Sequence, residues 1–241
     1  MSATRGLIAD VIRFSAVDGP GNRFVVFLQG CDFNCLACHN PHTIPAGSRA
    51  ARWRTVPELV AQVRATAPFL SGVTVSGGEA TRQSEFLRDF FAALHENEQL
   101  ARLTRYVDSN GDAPRSVWDT LLPVLDKAMI DLKALDPDLH IRLTGRPNDH
   151  VLHSIRHLAA HGKLHEVRLL LIPGVNDDDR TLTATAAWLR DVDAGIRVKV
   201  IGFRQHGVRA AGRRWPEATP EQVAGWADTL SAAGLTGIDA I

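Results

Sequence analysis

The chain has 241 residues, with 27 basic side chains against 27 acidic ones, a size at which a single domain buries roughly 70% of its open-chain surface and needs no disulfide or metal staple. Balanced charge excludes the electrostatic footprint of a nucleic-acid binder or of a protein drawn to an anionic membrane surface. No stretch approaches the ~20 apolar residues of a membrane span. The N-terminal stretch from Met1 breaks its apolar run at Asp10 and is not expected to be a signal peptide. From there strand-like and helix-like segments alternate. Phe24–Leu28 is followed by Thr55–Ala65, Val73–Ser76 by Glu85–Leu94, and Leu103–Asp108 by Val117–Leu125. Ala128–Leu132 then precedes Val151–Ala160, Val167–Ile172 precedes Thr181–Leu189, and Arg197–Phe203 precedes Glu221–Leu230. Thr55-Val-Pro-Glu58 and Thr219-Pro-Glu-Gln222 read as capping boxes, the second with Pro at the first helical position.

Six βα units in a row predict an α/β protein, a parallel sheet with helices on its outside, in one domain over 1–241. Asp18-Gly-Pro-Gly21, Pro173-Gly174 and Gly212–Pro216 read as loops rather than domain boundaries. The pattern leaves open whether the sheet is doubly wound or a partial barrel. A soluble, cytoplasmic protein is expected. Polar residues punctuate the C-terminal ends of the strands, where parallel α/β folds bind ligands. They are a cysteine loop, Ser76-Gly-Gly-Glu79, Asp108-Ser-Asn-Gly111, Asp131-Leu-Lys133, Pro173-Gly174 and Arg204-Gln-His206.

All three cysteines, Cys31, Cys35 and Cys38, lie within eight residues. An odd number packed so tightly is a poor disulfide framework, and the thiols look like ligands. A cubane iron–sulfur cluster normally takes four cysteines, so three leave one iron open to a substrate. The alternatives are zinc completed by His39 or His42, or inert buried thiols. Gly-Gly-Glu by itself is most often a turn after a strand. For Asp131 and Lys133, two residues apart on one strand face, the alternative is a strand-end salt bridge.

The run Gly19-Pro-Gly21-x-Arg23-x3-Phe27-x2-Gly30-Cys31-x3-Cys35-x2-Cys38-His39-Asn40 resembles the signature of the radical S-adenosylmethionine (SAM) activases of glycyl-radical enzymes. The similarity continues through Ser76–Glu79, Asp108–Gly111, Asp131–Lys133 and Pro173-Gly174-Val-Asn-Asp177. The resemblance implies a partial (β/α)6 barrel and one [4Fe-4S] cluster held by Cys31, Cys35 and Cys38 of the loop 30–40. It also implies SAM chelating the open iron through its amine and carboxylate. One electron then cleaves the sulfonium, and the resulting 5′-deoxyadenosyl radical abstracts hydrogen. The cofactor carries that chemistry, so no catalytic side chain is implied beyond cluster and SAM.

By the same resemblance Gly77, Gly78 and Glu79 meet SAM, with the Glu79 carboxylate on its ammonium. Lys133, beside Asp131, holds the SAM carboxylate. Asp108, Ser109, the Met129 carbonyl and Asp131 resemble a site for a monovalent cation, Na+ or K+. The Ala37 carbonyl faces the adenine amine, and His39 lies nearby. Two departures stand out. The family has an aromatic residue where this chain has Ala37, and a histidine where it has Arg204; Arg204 or His206 is expected to take over those contacts.

With three cysteines in one cluster, none remains for an auxiliary cluster. A barrel mouth without its own lid suits a protein substrate that covers it. The expected reaction is abstraction of a glycine Cα hydrogen in a glycyl-radical enzyme such as pyruvate formate-lyase, with flavodoxin or ferredoxin as electron donor. A monomer is expected, with no nucleic-acid and no membrane partner. The competing readings are a stand-alone radical SAM enzyme acting on a small molecule and a zinc-stabilised binding module.

Overall fold

The computed structural model describes residues 4–241; the first three residues of the stretch considered for a leader lie outside that range. Nine strands form the sheet: β1 Arg5–Ser15, β2 Arg23–Leu28, β3 Arg52–Thr55, β4 Gly72–Gly77, β5 Thr104–Ser109, β6 Lys127–Asp131, β7 Leu164–Leu171, β8 Arg197–Gly202 and β9 Gly237–Ala240. Their order is β3-β1-β2-β4-β5-β6-β7-β8-β9, so the sheet has a strand at each edge and does not close. The helices are α1 Val56–Thr66, α2 Ser84–Glu96, α3 Arg115–Leu121, α4 Pro137–Thr144, α5 Asp149–Ala160, α6 Asp179–Val192 and α7 Pro220–Ala232. The six expected strands and helices are all present, and both capping boxes form at Thr55 and Thr219.

The chain folds as two compact units, which divide within β6. The first comprises Met1–Asp32, His42–Ser109 and Ala113–Met129; the second comprises Phe33–Pro41, Asn110–Asp112 and Ile130–Ile241.

In the first unit β2 pairs parallel to β4, and β4 to β5. The apolar run of β2 is buried at almost every position, as a strand covered on both faces requires. Phe86, Phe90 and Phe91 of α2 and Trp118 of α3 fill the core, with α2 packed on α1 and α3. The strand β1 had no clean signature in the sequence. It runs antiparallel to β2, and register shifts between Ile8 and Asp10 and between Ile12 and Ser15 break its period-2 pattern. The short edge strand β3 is mostly exposed and carries Arg52 and Arg54, charges that discourage further strand addition.

Arg23 opens β2 and is fully buried. Its Nε donates to Thr74 Oγ1 at 2.6 Å, its Nη2 to Val73 O at 2.8 Å and Thr104 O at 3.0 Å, and its Nη1 to Pro20 O at 3.1 Å. The guanidinium also lies 4.2 Å from the centre of the Tyr106 ring. The Gly19–Arg23 half of the signature therefore ties the starts of β2, β4 and β5 together, at the opposite end of β2 from Cys31.

In the second unit β7, β8 and β9 are parallel, and α6 packs between α5 and α7. The helix α4 was not expected. Its eight residues are too few for periodicity to register, although Asp136 caps it, Pro137 opens it and Gly145 ends it in the left-handed conformation. Helix α3 ends at Leu121, four residues before the expected Leu125, because Pro123 cannot continue it.

Candidate functional site

In the first unit the chain leaves β2 at Leu28 and is held by backbone bonds up to Cys31. Gly30 N donates to Thr43 O at 2.8 Å, and Cys31 N to Ile44 O at 3.0 Å. The end of β4 closes on the same stretch: Gly78 N donates to Leu28 O and Glu79 N to Gly30 O, both at 2.8 Å. A Cβ on Gly77 would stand 2.2 Å from Leu28 N, and one on Gly78 2.4 Å from Gly30 O. The glycine pair thus has a structural necessity of its own, since it lets two strand ends meet backbone to backbone.

Glu79 is 2% exposed. Its Oε1 accepts from Thr81 N at 2.9 Å, Thr81 Oγ1 at 2.6 Å and Ser109 Oγ at 2.7 Å. The carboxylate and Ser109, expected in different subsites, are therefore hydrogen-bonded to each other. Asp108 Oδ2 accepts from Ser76 Oγ at 2.8 Å, and Met129 is fully buried in β6.

In the second unit two elements hold the loop that carries Cys35 and Cys38. The C-terminal end of α4 accepts from it, Asn34 N to Thr144 O at 2.8 Å and Leu36 N to Leu143 O at 3.0 Å. The segment after β8 lies against its other side. Arg209 Nη2 donates to Asn34 O at 3.1 Å and Cys35 O at 2.8 Å. A Cβ on Gly207 would stand 2.3 Å from His39 O, and one on Gly212 2.2 Å from Leu36 O.

Ala37 is buried with Phe203, Val208 and Leu139, and the His39 ring stacks on Phe203 with centroids 6.3 Å apart. His39 Nε2 lies 2.9 Å from Arg204 O. The Arg204 guanidinium itself turns to the Ala218 carbonyl, whereas His206 is exposed. Sequence reasoning missed Arg209 and α4; the only trace of them was the Gly212–Pro216 loop and the caps of an eight-residue helix.

Lys133 Nζ pairs with Asp131 Oδ2 at 2.7 Å, so the salt-bridge alternative and the ligand reading both start from a formed pair. Burial disfavours the ammonium, but Asp131 and the Cys35 and Cys38 thiols outweigh it and keep the lysine protonated. The thiols feel the converse. Burial pushes Cys35 up to about 11 and raises Cys38 as well, with Lys133 opposing both. A group that binds these sulfurs must displace their protons, and a cation beside the thiolates favours that state. Soft sulfur donors beside a fixed ammonium fit an iron–sulfur cluster. Among the described residues, no three His, Cys, Asp or Glu side chains stand about one point as a single metal ion needs. A cubane takes each thiolate on a different iron, so its sulfurs need not meet at one point.

Among the described residues, no helix is long and apolar enough to cross a membrane. Residues 25–187 match the Radical SAM superfamily. The pyruvate formate-lyase-activating enzyme of Staphylococcus aureus (strain USA300) is 35% identical over 210 residues, covering 85% of this chain and 83% of its own. Among solved structures, a domain of a pyruvate-formate lyase-activating enzyme from Bacteroides vulgatus ATCC 8482 aligns with a TM-score of 0.56 at 24% identity, over 70% of this chain and 99% of that one. A radical SAM methyltransferase from Sphaerobacter thermophilus aligns with a TM-score of 0.66 at 22% identity, over 90% of this chain and 66% of that one.

Proposed function

Because the chain belongs to the radical SAM superfamily, we propose that it is an activase that removes a glycine Cα hydrogen from a partner glycyl-radical enzyme, with flavodoxin or ferredoxin as the source of the electron. The observation that carries this reading is the 35% identity to a pyruvate formate-lyase-activating enzyme across 85% of the chain. The family implies a [4Fe-4S] cluster and SAM. Together, when bound, these supply a primary carbon radical able to take a hydrogen atom from a glycine.

The protein's own residues position and shield. Cys31, Cys35 and Cys38 would hold the cluster, and the backbone bonds of Gly30, Cys31, Asn34 and Leu36 fix the chain on either side of those thiols. Lys133 would offer its ammonium to the SAM carboxylate, exchanging part of its pairing with Asp131. Glu79, with Gly77 and Gly78 before it, would receive the SAM ammonium on a carboxylate already oriented by Thr81 and Ser109. Asp108, Ser109, Met129 and Asp131 are proposed as the ligands of a monovalent cation. Ala37 and His39 would border the adenine, with the exposed His39 ring, backed by the buried Phe203, supplying an aromatic surface that position 37 lacks. Arg204 and His206 would border the ribose side. A single radical SAM domain over 1–241 remains part of this reading.

The test is anaerobic reconstitution, addition of SAM and a low-potential reductant, and quantification of 5′-deoxyadenosine with and without a peptide carrying the glycyl-loop motif Arg-Val-x-Gly-Tyr. Release stimulated by the peptide is the expected result. Release indifferent to peptide would favour a small-molecule substrate, and none from iron-loaded protein would overturn the reading.

A further inference from the structure

The segment between Arg204 and Glu217 holds four arginines, Arg204, Arg209, Arg213 and Arg214, together with His206, against one acidic residue, Glu217. In a chain whose charges balance overall, this is a local excess of cations. The segment is also the strap that lies on the cysteine loop, through Arg209 on the Asn34 and Cys35 carbonyls, Gly207 on His39 and Gly212 on Leu36. Arg204, His206, Arg213 and Arg214 are exposed, and Arg214 rests 5.1 Å from the centre of the Trp215 ring, which restrains it. Between the charged positions Ala210 and Ala211 are exposed, and their short side chains leave the strap's backbone open to close approach.

The proposed reaction needs one electron delivered from outside. All three cysteines of the chain lie in the cysteine loop, so the chain has no thiols for a second cluster that could relay it. Electron tunnelling weakens steeply with distance, so a donor must settle on a surface contiguous with that loop. We infer that the Arg204–Trp215 strap is the docking surface for an acidic protein carrying a low-potential one-electron centre. The inference rests on the radical SAM reading above and specifies where its electron enters. The donor loses one electron, the group held by the thiolates gains it, and no proton or bond is exchanged between the two proteins. Opposite charges across the contact would speed encounter and fix orientation.

The experiment uses the full chain, cluster-loaded under anaerobic conditions, with an acidic flavodoxin as the probe. For the unmodified protein, affinity for oxidised flavodoxin is expected to fall steeply between about 0.05 M and about 0.5 M salt. The double variant Ala210→Glu/Arg214→Glu, which spares the Arg213 bond to Val208 O, is expected to bind at least about tenfold more weakly. Arg13→Glu, an exposed arginine of β1, should bind as the unmodified protein does. With dithionite in place of flavodoxin, the double variant should release 5′-deoxyadenosine at the unmodified rate. Flavodoxin binding that ignores both salt and the double substitution overturns the inference. So does a double variant that keeps flavodoxin affinity but loses its hold on a glycyl-radical enzyme, which would assign the strap to the substrate. If the double variant does not fold, the salt series on the unmodified protein decides. Absence of 5′-deoxyadenosine from the unmodified protein with dithionite would instead count against the radical SAM reading.

Discussion

At the scale of single residues, the three thiols and the two charged groups proposed to meet SAM separate cleanly by experiment. Cys31→Ala, Cys35→Ala and Cys38→Ala should each lose iron, sulfide and SAM cleavage together; robust cleavage by any one would sink the ligand assignment. Glu79→Gln and Lys133→Met should weaken SAM binding while iron content stays at the unmodified level. Glu79→Ala should in addition cost about 1–3 kcal/mol of stability, because it removes the buried acceptor of the Thr81 amide and hydroxyl. Cys35 also predicts a pH dependence for the cluster-free protein. Burial lifts its thiol from 9.0 to about 11, so the fold holds this proton more tightly than the unfolded chain does. That contribution to stability is complete below about pH 9 and is lost as pH rises through about 11. Denaturation midpoints should therefore fall across this window in the unmodified protein, and less steeply in Cys35→Ser.

Among the elements, those with whole turns or clear alternation were legible in the residues, and those shaped by their neighbours were not. Capping chemistry located α1 and α7, since Thr55 and Thr219 each satisfy the N3 backbone amide and are reciprocated by Glu58 and Gln222. Thr219→Ala should lower stability by about 1 kcal/mol, read from the denaturation midpoint. The strand β1 escaped notice because its bulges shift side chains between faces, a feature fixed by pairing with β2 rather than by the strand's own residues. Helix α4 buries Leu139 and Leu143 in the core beside Ala37 and offers the Leu143 and Thr144 carbonyls to the cysteine loop. At the β4 end, Gly78→Ala places a methyl 2.4 Å from Gly30 O, with backbone on both sides and no flexible group to yield. Such a variant should retain substoichiometric iron after reconstitution, since the stretch leading to Cys31 must move.

For the molecule as a whole, the chain's residues by themselves determined the alternation of strands and helices, the family, and the chemistry open to three clustered thiols. These follow from local periodicity, from turn residues and from ligand types, all of which act over a few positions of sequence. Closure of the sheet was beyond such signals, and only the strand order shows that it stays open, with β3 at one edge and β9 at the other. The tertiary structure also decided which polar groups meet. Glu79 shares a bond with Ser109, thirty positions away, and Arg209 reaches the Asn34 carbonyl, 175 positions away. Contacts of that kind depend on closing long stretches of chain, and no propensity or spacing within either partner encodes the other. The conformation of the cysteine loop belongs to this second class. Its candidate ligands could be read from Cys31-x3-Cys35-x2-Cys38, but its anchoring by α4 and by the arginine strap exists only once the distant segments have folded against it.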